Sequence, residues 1–175
     1  MATTLIEDII NQFNNLHDGD VWLDETFAKK FEQINETDAF TRPLPDLHSP
    51  AELISHLIVW RRAVMGRLKG AVVRLELNDP SNWKTNDELR PDGWETLKKE
   101  LYQSKQELID ILNGKDDTYL DTISADYGKD FRYFLQGLIH HDLYHMGQLG
   151  ISVKYLISNT YTKNETVHHS YLTSG

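Results

Sequence analysis

Apolar positions recur at helical spacing in four long stretches of the chain, and no stretch shows the two-residue alternation of a convincing strand. The first, Thr3 to Leu16, places Leu5, Ile6, Ile9, Ile10, Phe13 and Leu16 on a helical period. The HDGD run at His17 to Asp20 interrupts it, and Asp18 or Asp20 is suited to cap a continuation from Val21 to about Ile34 carrying Trp22, Leu23, Phe27 and Phe31. The pattern therefore predicts a long first helix, broken or kinked near Gly19. Thr41 to Pro50 holds three of the five prolines and is a loop. Ser49, Pro50 and Glu52 then supply an N-cap, a proline at the first helical position and a carboxylate at the third. The second helix runs from Pro50 to about Leu68, with Leu53, His56, Leu57, Trp60, Ala63 and Val64 on its inner face. Leu77 to Pro91 is polar and turn-rich, a crossover. The third helix starts near Asp92 and reaches about Leu112, with Trp94, Leu97, Leu101, Leu108 and Ile111 inward and Gly114 as its stop. After a connection over Lys115 to Lys129 comes the fourth, Phe131 to Tyr155. From Ser158 the chain is polar and poorly periodic. Four amphipathic helices predict an all-α four-helix bundle over residues 1–158, a single domain, with residues 159–175 as a polar tail bearing His168 and His169.

The fourth helix carries the chemistry. With 100° per residue and His141 at zero, Phe134, Leu138, His145, Gln148, Leu149, Ser152 and Leu156 all fall within roughly 80° of it. The core-facing stripe is thus apolar at both ends, with two histidines and a glutamine between. Each polar group left unsatisfied there costs roughly 1–3 kcal/mol. Histidines at i and i+4 put both rings on one side of a helix, one turn apart, the spacing that two ligands of one metal ion need. The competing reading is a pair of core histidines bonded to neighbours. His56 sits in the middle of the apolar stripe of the second helix and is the counterpart of that pair. Glu52, one turn before it, reads first as a helix N-terminal charge and second as an acceptor for the other ring nitrogen of His56. Gln148 reads as a contact for water or substrate, or as an inter-helix hydrogen bond. Asp142, about 100° from His141, reads first as a solvated carboxylate and second as an anchor for a histidine on another helix. Trp60, Tyr144 and Tyr155 read as core, with the tyrosines also placed to line a pocket mouth.

Composition narrows the chemistry. The 175 residues contain no cysteine, so any metal rests on His, Asp and Glu. The formal net charge of −9 argues against nucleic-acid backbones and anionic membrane surfaces as partners. No apolar run approaches the 18 residues of a spanning helix, and the acidic N-terminus lacks the features of a signal peptide, so a cytoplasmic location is expected. His56, His141 and His145, on two facing helices, suit Zn²⁺, Ni²⁺ or Fe²⁺ and leave a coordination position open, the catalytic rather than the structural pattern.

The segments HSPAELISHLIVWR and LIHHDLYHMGQL, with GDVW after the first helix and the proline-rich loop before the second, resemble the DinB-like superfamily over roughly Leu5 to Leu156. The resemblance implies a helical bundle of unusual connectivity, one divalent metal held by His56, His141 and His145, and a homodimer. It also implies, through some relatives, transfer reactions that consume a low-molecular-weight thiol as cosubstrate. A small-molecule substrate at the open metal position follows. Two other readings compete. One is a metal-dependent hydrolase that uses HDLYH as a variant of the His-Glu-x-x-His helix, with Glu165 or His168 as third ligand, or His141-Asp142 as an HD pair. The other is a non-enzymatic binding or dimerisation module with a vestigial metal site.

Overall fold

The computed structural model describes the backbone of residues 4–76 and 78–172, and side chains as far as Ser158. Seven α-helices are present among the described residues, and extended pairing is limited to one isolated bridge between Ile123 and Asp130. Four helices make the bundle: α1 (Leu5–Asp18), α4 (Pro50–Leu68), α6 (Trp94–Leu112) and α7 (Phe131–Leu172). Three short ones, α2 (Phe27–Phe31), α3 (Glu36–Ala39) and α5 (Asn86–Leu89), sit in the crossovers. The architecture is the all-α single domain that the periodicity predicts.

The connectivity follows from which helices touch. α4 packs on α6 and α7, and α1 packs on the same two. α1 and α4 therefore stand across one diagonal and α6 and α7 across the other. Each diagonal step needs a long crossover, which accounts for the extended connections over residues 19–49 and 113–130. The groove between α4 and α7 is where the sequence places its histidines.

Local chemistry sets the helix ends. Thr4 and Glu7 form a reciprocal capping box at α1, as do Ser49 and Glu52 at α4, where Pro50 occupies the first turn. Gly93, at φ 79°, turns the chain into α6 in a conformation that side chains with a Cβ avoid.

Three expectations are corrected. The continuation of the first helix over residues 21–34 is helical only at Phe27–Phe31, which Thr26 caps from its side chain. Phe27 and Phe31 are buried as expected, but Trp22 is 97% exposed and Leu23 is also exposed. The apolar period ran through a loop because Asp24, at φ 53°, turns the chain between the two groups. At the other end, α7 does not stop near Tyr155; its backbone stays helical to Leu172, past the start of the expected tail. The side chains of Glu165, His168 and His169 lie outside the described residues, as do Thr3 and Leu77. The crossover before α6, read as polar and turn-rich with no helix of its own named, holds a 3₁₀ turn at Pro80–Asn82 and the short α5.

Candidate metal centre

α4 brings His56 to the groove and α7 brings His141 and His145. One potential ligand atom from each lies within 4.8 Å of the other two. The ring centroids are 5.0 Å apart for His56 and His141, 4.7 Å for His56 and His145, and 4.5 Å for His141 and His145. His56 and His145 are each 5% exposed, so these rings are largely removed from water.

The second nitrogen of two rings is held by a carbonyl oxygen. His56 Nδ1–H donates to the backbone carbonyl of Asn82 at 2.9 Å, and His145 Nδ1–H donates to Gln148 Oε1 at 2.7 Å. Each of these bonds fixes the tautomer that leaves a lone pair on Nε2. His56 Nε2 lies 3.0 Å from His141 Nε2. Burial lowers the pKa of all three rings. His56 falls to about 4, helped by His145 and His48; His141 falls to about 3, helped by His145, His56 and Arg61. His145 is lowered by burial first and by His48. At neutral pH the triad is therefore uncharged.

Uncharged rings with convergent lone pairs cannot satisfy one another. His141 has one N–H to offer, while His56 and His145 both present acceptors; His141 Nδ1 is itself buried and has no partner among the described residues. Nitrogens bound 2.0–2.1 Å from a tetrahedral Zn²⁺ stand roughly 3.3 Å apart, close to the 3.0 Å between His56 and His141. The donor set, its neutrality and its spacing are compatible with a divalent metal ion.

The crossover before α6 closes one side of the site, which sequence reading missed. The Pro80–Asn82 turn, capped by Asp79, delivers two things at once. Asn82 gives its carbonyl to His56 and its Oδ1 accepts from Trp60 Nε1 at 2.8 Å. Trp83 inserts between two imidazoles, stacked 3.8 Å from His56 and 3.7 Å from His48 with interplanar angles of 8° and 6°. The only sequence signal was a tryptophan in an otherwise polar connection.

The other expected residues are placed as follows. Glu52 is not the partner of His56: it closes the Ser49 capping box and pairs with Arg42 at 2.8 Å, the helix N-terminal role that was its first reading. Asp142 is not a surface carboxylate. It is fully buried and pairs with Arg61 at 2.6 Å. Burial pushes its carboxyl up from the ordinary carboxylate range, and the Arg61 guanidinium opposes that. Gln148 lines the cavity while holding His145. Tyr144 packs edge-on to His145, with ring centroids 4.9 Å apart, and is largely exposed.

A cavity of about 880 Å³ opens beside the triad along the α4–α7 groove. Trp60, Val64 and Arg67 line it from α4, and Phe134, Gly137 and Leu138 from α7. No helix of the described residues is long and apolar enough to cross a membrane.

An all-α bundle with a buried histidine triad between two facing helices, compatible with a metal ion and opening on a cavity, defines the class. The chain belongs to the DinB superfamily, whose model matches residues 22–149. Its fold is similar to that in a crystal structure of a conserved protein from Enterococcus faecalis, with a TM-score of 0.68 and 16% identity over 90% of this chain and 99% of that one. No curated protein matches the chain.

Proposed function

We propose that this chain is a metal-dependent enzyme that activates a low-molecular-weight thiol or water against a small electrophile. One observation carries the reading: three neutral imidazoles aim ring nitrogens at one point on the wall of a large cavity. His56, His141 and His145 are the proposed ligands of one Zn²⁺ or Ni²⁺, with Fe²⁺ next. When bound, such an ion supplies Lewis acidity and lowers the pKa of the water or thiol it meets. The Asn82 carbonyl and Gln148 hold two of the three rings in the metal-ready tautomer, and Gln148 also faces the cavity, where its amide N–H is placed to donate to a substrate. Trp60 and Trp83 shield the rings from bulk water.

With a thiol cosubstrate, sulfur gives up its proton, forms a bond to the electrophilic carbon, and the leaving group departs with the electron pair of the broken bond. The lack of cysteine in the chain agrees with a thiol that arrives from solution. The hydrolase reading of HDLYH is weaker, because the carboxylate it needs as a base, Asp142, is buried against Arg61.

The test measures metal content of the purified protein and thiol transfer to chloro- and epoxide-type electrophiles. One equivalent of metal, lost in His141→Ala and His145→Ala, together with thiol-dependent turnover, supports the proposal. Metal with no thiol dependence removes the thiol version and leaves water. A melting temperature indifferent to chelators, with no bound metal, returns the chain to a non-enzymatic binding module.

We further propose a cytoplasmic homodimer. Tyr133, Tyr144 and Tyr155, exposed along α7, supply an apolar stripe for a second copy. A one-chain mass in light scattering would remove the dimer.

A further inference from the structure

The cavity beside the triad has two distinct ends. His56, Trp60, Val64 and Arg67 follow one face of α4, and His56 and Arg67 are separated by eleven residues, about 16 Å of helix. At its own end Arg67 meets Asp126, the Val73 carbonyl and the rings of Tyr127 and Phe134. Between the two ends Trp60, Val64, Phe134 and Leu138 supply apolar wall, and Gln136 and His140 of α7 also line the cavity.

Arg67 is only 6% exposed, yet it lines the cavity. Its Nε donates to Asp126 Oδ2 at 3.0 Å and its Nη2 to the carbonyl of Val73 at 3.2 Å. The guanidinium lies over the rings of Phe134 and Tyr127, 5.1 and 5.7 Å from their centroids. These contacts fix its plane and leave Nη1 without a partner among the described residues. Asp126 is held in turn by Ser124 Oγ and by Val73 N–H at 2.9 Å, so the arginine cannot swing away without breaking a local network.

The charge pattern agrees. The chain carries 27 acidic residues against 18 basic ones, yet no Asp or Glu lines this cavity. Neutral histidines would leave the charge of a bound cation uncompensated at one end, while at the other Arg67, ion-paired with Asp126 through Nε, keeps Nη1 for a further acceptor. We infer that Arg67 is a substrate-anchoring residue, and that the cavity takes an elongated, carboxylate-bearing molecule whose far end is presented to the histidine triad. Arg67 is the residue type that suits a carboxylate, with a planar fork of donors held in place. The inference deepens the metalloenzyme reading and rests on it for the head of the ligand, though not for the tail.

The probes are straight-chain ω-mercaptocarboxylates and n-alkanethiols of matched length, titrated into protein loaded with Co²⁺ and followed by thiolate-to-cobalt absorbance. Metal content is measured first. The acids should bind about tenfold or more tighter than the neutral thiols, the scale of a hydrogen bond to a charged group. That advantage should peak at one chain length and fall to twofold or less in Arg67→Gln paired with Asp126→Asn, which leaves no unpaired charge. Gly137→Leu should weaken acids and thiols alike, because a Cβ there meets nothing within 4 Å and the larger side chain enters the cavity. Equal binding of acids and thiols at every length, or an acid advantage that survives the double variant, overturns the inference. If the protein takes up no metal, the metalloenzyme reading fails alone. Arg67 is then read on metal-free protein by thermal shift with straight-chain carboxylates against alcohols of equal length: a preference for the acids that the double variant abolishes upholds it, and no preference overturns it.

Discussion

Arg61 and Asp142 form an ion pair 2.6 Å long in which neither side chain is exposed to solvent. The arginine, on α4, reaches all three other bundle helices. Its Nη1 donates to the carbonyl of Leu101 and to Ser104 Oγ on α6, both at 3.0 Å, and to His17 Nε2 on α1 at 3.3 Å. His17 Nδ1–H donates to the carbonyl of Phe13 at 2.8 Å, which leaves Nε2 as the acceptor. Burial, then the nearby Arg61 charge, holds the pKa of His17 well below its ordinary value, consistent with a neutral acceptor.

The pair has a lopsided energetic role. Removing one member strands a charge in the core and costs about 3–5 kcal/mol, whereas replacing both with apolar residues is often neutral. Arg61→Met or Asp142→Leu alone should therefore lower the urea midpoint steeply, and the double variant should recover most of the loss. The coupling in a double-mutant cycle is the measurement. Additive losses would show that the pair carries no mutual stabilisation.

The carbonyl partners of the triad make a second prediction. On the proposed metal reading, Gln148→Leu keeps all three histidines and removes the oxygen that fixes the tautomer of His145. Loss of such a partner typically costs 10–100-fold in metal affinity. Competition titrations with a chromophoric chelator should show a drop on that scale with an unchanged stoichiometry. Unchanged affinity would mean that His145 does not need Gln148 to be ligand-ready.

Much of this fold is legible in local chemistry. The start of α4 follows from Ser49, Pro50 and Glu52 because a capping box and an N-terminal proline act within one turn. The triad follows from period alone, because His56, His141 and His145 interrupt apolar stripes where an unsatisfied ring is costly. Asp142 was misplaced for a geometric reason: a helix in a four-helix bundle faces two neighbours and the axis between them, so its buried arc is wider than one stripe. A residue about 100° from His141 then looks at Arg61 instead of at water. Trp83 could not be placed, because its position depends on where the crossover returns to the bundle, and that is decided by tertiary contacts with His48 and His56.

Trp83 gives a third prediction. Its ring is the only contact that joins His48 to His56 among the described rings, and it covers the face of a proposed ligand. Aromatic pairs contribute about 0.5–1.5 kcal/mol beyond simple burial, a factor of roughly two to ten in an equilibrium. Trp83→Ala should weaken metal retention by about that factor, and Trp83→Phe should preserve most of it. Equal retention in all three proteins would reduce the crossover to a passive cover.

The lowered pKa values make the fourth prediction, and its sign is fixed by which state takes up protons first. In the unfolded chain, histidine titrates near 6.5. In the folded metal-free protein His56 waits until about 4 and His141 until about 3, with His145 also lowered. As pH falls below 6.5 the unfolded state binds protons that the folded state cannot, so the metal-free protein should lose stability progressively from about pH 6.5 down to the folded values. Above about pH 8 these three groups contribute no slope, because they are then neutral in both states. Replacing His141, the ring with the lowest value, by Gln should flatten the curve between about pH 6 and 4. Urea unfolding at half-unit steps over that range reads the slope, and a metal-free protein equally stable at pH 7 and pH 4.5 would contradict the assignment. The same low values mean that protons compete poorly for the ring nitrogens, so a bound divalent ion should be retained well below pH 6, where it would be lost from exposed histidines.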